Sequence, residues 1–380
     1  MQTAAILWHV SLLVSPDRKG IALGLVGLVK VVPIIAFSLM SGVVADVLDR
    51  RRLMLVTQSV MAILAGILAA LTFRGLASVW PIYVLAALTS AASAFDAPAR
   101  QSLIPNLVPR EDLPNALSLN TIIFQAASVA GPSLAGLTIA VGGVAWAYLV
   151  NALSFIAVIV GVLMMRDVRA AASPAGAEIS LKAAREGLRF VFASPMIRST
   201  MLLDFFATFF SSATALLPIF AQDVLRVGAH GYGLLYAAPS AGALVASLVM
   251  VRQVDAIERR GLTLIWAVTL YGAATVVFGL SRSFGLTLLC LAVSGAADTV
   301  STVLRNVVRQ LETPDELRGR MVGVNMMFFM GGPQLGEMEA GLVANWFGAV
   351  ASVVSGGIGS LIATGWVAGT TPDLRRYRRY

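Results

Sequence analysis

The 380-residue chain is 58% hydrophobic and only 13% charged, with a mean hydropathy of +0.82. Soluble domains carry about 25% charged residues, so this composition indicates a polytopic membrane protein. The net charge of +8 does not indicate a nucleic-acid partner, because so apolar a chain offers little water-exposed surface for a basic patch. The excess of arginine instead fits cytoplasmic loops beside anionic lipid headgroups.

The sequence lacks the residue groups on which enzymes and metal sites depend. The one cysteine, Cys290, lies in an apolar run, so neither a disulfide framework nor a thiolate metal site is expected. The two histidines, His9 and His230, are far apart in the sequence, which disfavours a histidine cluster. The Gly-x-Ser-x-Gly, His-Glu-x-x-His and Gly-x-x-x-x-Gly-Lys-Ser/Thr patterns are absent. We therefore expect no enzyme, no ATP-driven pump, no metal and no cofactor.

Apolar runs separated by short polar turns predict twelve membrane-spanning helices. The first run, Met1–Val14, would be only ~21 Å long as a helix, whereas the hydrocarbon core is ~30 Å thick. We interpret it as the second half of helix 1, in a chain with a late start codon or a natural truncation. Helices 2 to 6 are predicted at about 20–44, 53–73, 79–103, 112–139 and 144–165, and helices 7 to 12 at about 196–222, 229–252, 262–281, 284–309, 316–344 and 347–368.

A charged segment near the middle of the chain separates two halves. In it Leu181, Leu188 and Val191 recur at helical spacing among basic residues, which predicts an amphipathic helix on the inner membrane surface. The predicted domains are an N-terminal six-helix bundle at 1–166, a cytoplasmic linker at 167–195, a C-terminal six-helix bundle at 196–369 and a basic cytoplasmic tail at 370–380.

The segment between helices 2 and 3 carries the strongest pattern, Gly42-Val-Val-Ala-Asp46-Val-Leu-Asp49-Arg50-Arg51-Arg52. A charge at the bilayer centre costs ~2.5–3.5 kcal/mol, so this segment is expected at the water interface. Its three arginines place that interface on the cytoplasmic side. A second copy, Asp255-Ala-Ile-Glu258-Arg259-Arg260, begins 209 residues after Asp46, as expected for the two halves of a duplicated fold.

The distribution of basic residues supports this topology independently. The predicted outer loops contain Arg18, Lys19, Arg74, Arg226 and Arg282. One lysine lies within a span, and the remaining 22 of the 28 basic residues lie on the predicted inner side. The positive-inside rule predicts such an excess of basic residues on the cytoplasmic side. If the predicted number of helices were wrong by one, the basic residues would be distributed over both sides.

Three motifs carry a resemblance to a known family. The pattern Gly-x-x-x-Asp-x-x-x-Arg-Arg resembles the cytoplasmic loop between helices 2 and 3 of the major facilitator superfamily of transporters. Gly131-Pro132-Ser133-Leu134-Ala135-Gly136 resembles the helix 5 signature of antiporters in that superfamily, and Gly332-Pro333-Gln334-Leu335-Gly336 is its counterpart in helix 11. Asp96-Ala-Pro98-Ala-Arg100-Gln, with Asn115 downstream, resembles a bacterial branch of transmembrane secretion effectors that contains the enterobactin exporters.

The resemblance implies an all-α membrane protein with two six-helix bundles related by a pseudo-two-fold axis, here with a truncated first helix. It also implies alternating access, in which the bundles rock about a central site.

The resemblance further implies a cytoplasmic charge network that stabilises one state of the transport cycle, with Asp46 facing the start of helix 11 and Arg50 pairing with Asp96. The alternative is that these charges only anchor topology. The other implied members are Gly42, Asp49, Arg51, Arg100, Asp255, Arg259 and Arg260. The Gly-Pro motifs would be joints of closely packed helices, or ordinary small-residue packing.

Charged residues inside apolar runs are functional candidates by default. The proton-coupling candidates are Lys30 in helix 2, Asp204 in helix 7, Asp298 in helix 10 and Glu337 in helix 11. Helices 1, 4, 7 and 10 line the pathway in the superfamily, so Asp204 and Asp298 rank first. The alternatives are a structural ion pair for Lys30 and an interfacial position for Glu337 or its neighbour Glu339.

We therefore predict a multi-pass protein of the bacterial inner membrane, surrounded by lipid and monomeric. Its expected function is proton-coupled efflux of a small, siderophore-like or drug-like molecule. Uptake is a variant that stays open. A non-transporting sensor or remnant is the main alternative, because the first helix is short, and an intramembrane enzyme is disfavoured.

Overall fold

The computed structural model describes residues 1–109, 112–165, 188–314 and 318–378, which are almost entirely helical and contain no strand. Residues 167–187, which are most of the predicted linker, lie outside these ranges, as do residues 379 and 380 of the predicted tail. The contacts divide the chain into two units. Unit 1 contains Met1–Ser15 and Leu28–Ile179, and unit 2 contains Pro16–Gly27 and Ser180–Tyr380.

Unit 1 is built from the first six helices. These are α1 (Gln2–Leu13), α2 (Lys19–Val47), α3 (Arg50–Phe73), α4 (Trp80–Leu107), α5 (Leu113–Gly142) and α6 (Val144–Met164). The first residues of α2 belong to unit 2. Within unit 1, α3 packs along both α4 and α6, and α1 packs on α5 and α6.

Unit 2 is built from the remaining helices. These are α7 (Pro195–Phe210), α8 (Gly228–Gln253), α9 (Arg260–Leu280), α10 (Phe284–Glu312), α11 (Arg318–Phe347), α12 (Ala349–Thr370) and the short α13 (Pro372–Arg376). Helix α10 packs between α8 and α9, and α7 packs on α11 and α12. Glycines permit the closest approach: a side chain at Gly295 of α10 would meet the backbone of Pro239 in α8.

Ten helical segments within the described residues are long and apolar enough to cross a membrane. The 12 residues of α1 form a shorter apolar helix. Large apolar side chains are exposed along these helices, including Val141, Val251 and Ile362, as expected for surfaces that contact lipid chains. The all-helical membrane architecture predicted from the sequence is confirmed.

The seventh predicted span is broken, although the sequence predicted one helix at about 196–222. Helix α7 ends at Phe210, and the chain continues through a 3-10 turn at Thr214–Leu216, a single α turn and a π turn at Phe220–Val224. One cause is tertiary, since the Ser212 hydroxyl donates to the Pro333 carbonyl of α11 at 2.9 Å. The other is local, because Pro218 lacks the N–H that would bond to the preceding turn.

Candidate functional site

One face of α10 carries the charged residues of unit 2. Asp298, Arg305 and Arg309 are seven and four residues apart, and at ~100° per residue they lie within about 40° of one another. This face packs toward α7, where Asp204 is buried. The helical repeat of α10 and the packing of α7 therefore bring two aspartates and two arginines together inside the bundle.

Arg305 contacts both aspartates, and Arg309 contacts Asp204. Arg305 places Nη2 2.8 Å from Asp204 Oδ1 and 3.7 Å from Asp298 Oδ1. Arg309 places Nη2 3.5 Å from Asp204 Oδ2. The formal charges of this Asp–Arg cluster cancel, which offsets part of the large desolvation cost of burying them.

Hydrogen bonds fix Arg309 more completely than Arg305. Arg309 donates to Thr200 Oγ1 at 3.2 Å, to the Thr200 carbonyl at 3.0 Å and to Asn325 Oδ1 of α11. Arg305 is only 1% exposed and donates from Nη2 to Thr302 Oγ1 at 2.8 Å. Its Nε and Nη1 have no partner among the described residues. Arg305 is thus fully desolvated but incompletely satisfied.

Asp298 differs from Asp204 in its surroundings. The Asp204 side chain is enclosed, whereas 41% of the Asp298 side chain is exposed. Asp298 faces a cavity of about 210 Å³ that lies wholly within unit 2 and extends to the break after α7. The cavity is lined by Thr208, Ser211, Ser212, Ala213, Thr214, Pro239, Tyr271, Ala274, Thr275, Phe278, Cys290, Leu291, Ser294, Gly295, Asp298 and Pro333.

Both aspartates were candidates from the sequence, but their two arginines were not. Arg305 and Arg309 were counted only as basic residues of the inner side, because they stand near the predicted inner end of helix 10. The structure shows in addition that both side chains are buried among the helices of unit 2. The i, i+7, i+11 spacing with Asp298 was the signal that could have identified them.

Asp96 is the centre of a second polar group, in unit 1. Its Oδ1 accepts hydrogen bonds from Thr57 Oγ1 and Gln58 Nε2 of α3, both at 2.9 Å. Its Oδ2 lies 2.5 Å from Arg100 Nη2, one helical turn along α4. The structure therefore brings together Asp96 and Arg100, two residues that the sequence assigned to one network.

Two residues of the signature loop stabilise helix ends. Asp49 is the N-cap of α3 and accepts a hydrogen bond from the Arg52 N–H at 2.9 Å. Arg51 donates to the carbonyls of Val162 and Leu163 at 3.0 and 2.7 Å. Both carbonyls belong to the last turn of α6, and the Val162 carbonyl also accepts the Met165 N–H at 3.3 Å. A cation at this end of the helix complements the helix dipole.

The remaining candidates of the charge network are less fully described. Gly42 and Asp46 lie on α2, and Asp255 lies in a 3-10 turn after α8, but their side chains are outside the described residues. Arg50 begins α3. At the start of α9, the Arg259 side chain is exposed, whereas the Arg260 side chain is buried.

The other two intramembrane candidates, Lys30 and Glu337, each have a hydrogen bond within their own unit. Lys30 donates from Nζ to Thr3 Oγ1 at 3.1 Å within unit 1. Glu337 accepts a hydrogen bond of 3.5 Å from Thr214, beside the break after α7. Glu339 is partly buried on the same helix as Glu337.

The two Gly-Pro motifs lie at close helix contacts. A side chain at Gly332 would come within 2.6 Å of Thr208 Oγ1, and one at Gly336 would meet the backbone of Phe209, so α11 lies against α7. Pro333 accepts a hydrogen bond from Ser212 Oγ at 2.9 Å. In unit 1, Pro132 and Gly136 are buried and a side chain at Gly131 would come within 3.1 Å of Met1 N.

Comparisons with known proteins agree with this architecture. A family model described as transmembrane secretion effector matches residues 1–376. The enterobactin exporter EntS of Escherichia coli O1:K1 / APEC is 28% identical over 341 residues, which are 90% of this chain and 81% of the exporter. EntS of Shigella boydii serotype 18 gives the same identity and coverage.

Solved structures of transporters share the fold. A mutant of the nucleoside transporter NupG superposes with a TM-score of 0.74 at 13% identity, covering 97% of both chains. A bacterial homologue of the human lysosomal transporter Spinster gives a TM-score of 0.70 at 15% identity, covering 100% of this chain and 97% of that one.

The helical bundles and the family match together define a multi-pass transporter of the inner membrane, which acts on a small molecule and is not an enzyme. The chain belongs to the transmembrane secretion effector family of the major facilitator superfamily. The family resemblance expected from the sequence is confirmed.

Replacing Arg305 by methionine tests whether the Asp–Arg cluster is a matched charge set. We expect a lower unfolding temperature in detergent, because Asp204 would lose its nearest cation, and breaking a buried pair costs ~3–5 kcal/mol. Arg259→Met removes an exposed arginine and should leave the unfolding temperature nearly unchanged. Equal unfolding temperatures for the two variants would show that the buried pair contributes no stability.

Proposed function

We propose that this transporter is a secondary active exporter that couples efflux of a small molecule to proton entry through the Asp–Arg cluster of unit 2. The observation that carries the proposal is the cluster itself, because charged residues within membrane spans are costly and are commonly functional. The similarity to enterobactin exporters supports a siderophore or drug-like substrate.

Within the cluster, Asp298 is the better candidate for the carboxylate that gains and loses the proton. Asp204 is enclosed and contacts both arginines, so its negative charge is compensated from two sides. Asp298 has one longer contact with Arg305 and faces the cavity, so a proton carried by water can reach it. When Asp298 is neutral, Arg305 is attracted to Asp204 alone. Protonation would thereby change the charge balance between α7 and α10.

We propose a separate gating role for the charged residues at the end of α2, at the start of α3 and in the second half of α4. Asp96 would favour one state of the transport cycle through its contacts with α3 and Arg100, and Asp46 would contribute from α2. In the second half of the chain, Asp255, Arg259 and Arg260 would have the same gating role. The Gly-Pro motifs would serve as the joints on which these helices move.

We also propose that residues 167–195 and 370–380 form a cytoplasmic linker and a cytoplasmic tail between and after two six-helix domains, and that the protein acts as a monomer. The excess of arginine in the predicted inner loops supports this orientation.

Asp298→Asn is expected to lower efflux by ~10-fold or more and to make the residual efflux insensitive to a protonophore, because the amide cannot carry the proton. Efflux of enterobactin and of a panel of fluorescent dyes would be measured in cells that lack their own exporters. Glu312→Gln is the control, since it removes an exposed carboxylate from the same helix. Protonophore-sensitive efflux by Asp298→Asn at the wild-type rate would rule out this role. Failure of the wild-type protein to move any compound would favour a non-transporting remnant.

Asp46→Asn and Asp96→Asn are each expected to reduce efflux severalfold while the protein still inserts at the wild-type level, because each change removes a charge without changing the size of the side chain. Membrane levels would be measured by immunoblotting beside the efflux assay. Asp112→Asn, at an exposed position before α5, is the matched control. Unchanged efflux by both variants would rule out the gating role and leave these acids with a topological or structural role only.

Cysteines introduced at Arg52 and Arg259, in a Cys290→Ser background, are expected to react with a charged thiol reagent only from the cytoplasmic side. Arg74→Cys, in the predicted outer turn after α3, should react from the outer side. Labelling of positions 52 and 259 from opposite sides would contradict the duplicated topology.

A further inference from the structure

We infer that the cavity inside unit 2 holds a chain of water molecules that carries protons between the break after α7 and Asp298. This inference rests on the proposed proton coupling and adds the route by which the proton travels. The route lies within one helical bundle, so its hydration can be measured without a substrate.

The cavity has room and suitable walls for water. A volume of about 210 Å³ corresponds to roughly seven water molecules at ~30 Å³ each. Three wall hydroxyls already donate to backbone carbonyls: Ser212 to Pro333 at 2.9 Å, Thr275 to Tyr271 at 3.0 Å and Ser294 to Leu291 at 2.7 Å. Their oxygens therefore keep lone pairs that can accept hydrogen bonds from water.

Two further observations indicate missing hydrogen-bond partners along this route. Ser211 Oγ lines the cavity at the break and is buried with no partner among the described residues. Beyond Asp298, the buried Nε and Nη1 of Arg305 are also unpaired within the described residues. Buried polar groups of this kind are usually satisfied by ordered water. Polar groups without a hydrogen-bond partner among the described residues thus lie at both ends of the route. Ser211 lies at the break after α7, and Arg305 lies beyond the carboxylate of Asp298.

The break after α7 contributes polar groups to the wall of the cavity. Helix α7 ends at Phe210, and the residues after it that are not α-helical include Ser211, Ser212 and Thr214. All three line the cavity. Helix α10 begins at Phe284 and presents first Cys290, then Ser294 and then Asp298 to the cavity. The Cys290 thiol and the Ser294 hydroxyl therefore precede the carboxylate along α10.

The proton step involves no other reactant. A hydronium ion in the cavity transfers one proton to a carboxylate oxygen of Asp298, forms an O–H bond there and leaves a neutral water molecule. The charged groups around this carboxylate are Arg305 on its own helix and Asp204 on α7, and the Tyr271 side chain of α9 also lines the cavity. Release of the proton reverses the step.

The chain supplies its own probe of hydration, because Cys290 lines the cavity. Its neighbour Leu289 is 60% exposed on the outer surface of the bundle, where lipid is expected. The test compares the native protein with a Cys290→Ser, Leu289→Cys variant in proteoliposomes treated with methanethiosulfonate ethylammonium. Modification is followed by mass spectrometry. We expect Cys290 to react ~10-fold faster or more, since thiolate formation requires water.

A filled cavity provides the second arm of the experiment. Ser294→Leu places a larger apolar side chain in the cavity, and Thr299→Leu makes a similar change on the same helix outside the cavity lining. We expect Ser294→Leu to slow both the labelling of Cys290 and protonophore-sensitive efflux by ~10-fold, and Thr299→Leu to change neither by more than ~2-fold.

The outcomes separate the route from the proposed function. Slow labelling of Cys290 beside protonophore-sensitive efflux would overturn the route and leave the coupling intact. Normal efflux by Ser294→Leu would likewise overturn the route. Fast labelling with protonophore-insensitive efflux would overturn the coupling and, with it, the route as a proton path. Fast labelling of Cys290 in the native protein, with slower labelling and slower efflux in Ser294→Leu but not in Thr299→Leu, would support both the route and the coupling.

Discussion

The buried ion pair between Asp204 and Arg305 is the constraint on which the second unit depends. Two charges 2.8 Å apart, each almost without solvent exposure, are stable in an apolar bundle only if both remain paired. This requirement fixes α7 against α10. Arg309 extends the constraint to α11 through its hydrogen bond to Asn325. The interior of unit 2 is therefore held by charge as well as by apolar packing.

The same constraint places the two aspartates in different surroundings. Asp204 is compensated by two arginines, whereas Asp298 has one longer contact and lines a cavity. A pair of similar groups in contrasting environments is a common arrangement for acid–base work, because one member can change its charge while the other keeps the arginines in place. In unit 1, Asp96 has one arginine and two neutral donors, an arrangement that fits a switch between helices better than a proton site.

The sequence predicted the spans and the family because both depend on local patterns. Hydrophobic runs of about 20 residues are visible without tertiary information, and the loop from Gly42 to Arg52 carries its motif in consecutive positions. The break after α7 was missed because Ser211 and Ser212 are compatible with a helix, and the hydrogen bond from Ser212 to Pro333 of α11 depends on the tertiary fold. Arg305 was missed because its charge at the end of an apolar run has two explanations, an interfacial anchor or a buried partner. Only the position of Asp204, about 100 residues earlier, decides between them.

Proton movement recorded at the same time as substrate movement tests the central claim most directly. The protein would be reconstituted in vesicles that enclose a pH-sensitive dye, with a gradient of enterobactin as the driving force. The account predicts that protons flow against the substrate in vesicles with the native protein, and that no such flow occurs when the Asp298 carboxylate is absent. Enterobactin movement without any opposing proton flow in the native protein would contradict it.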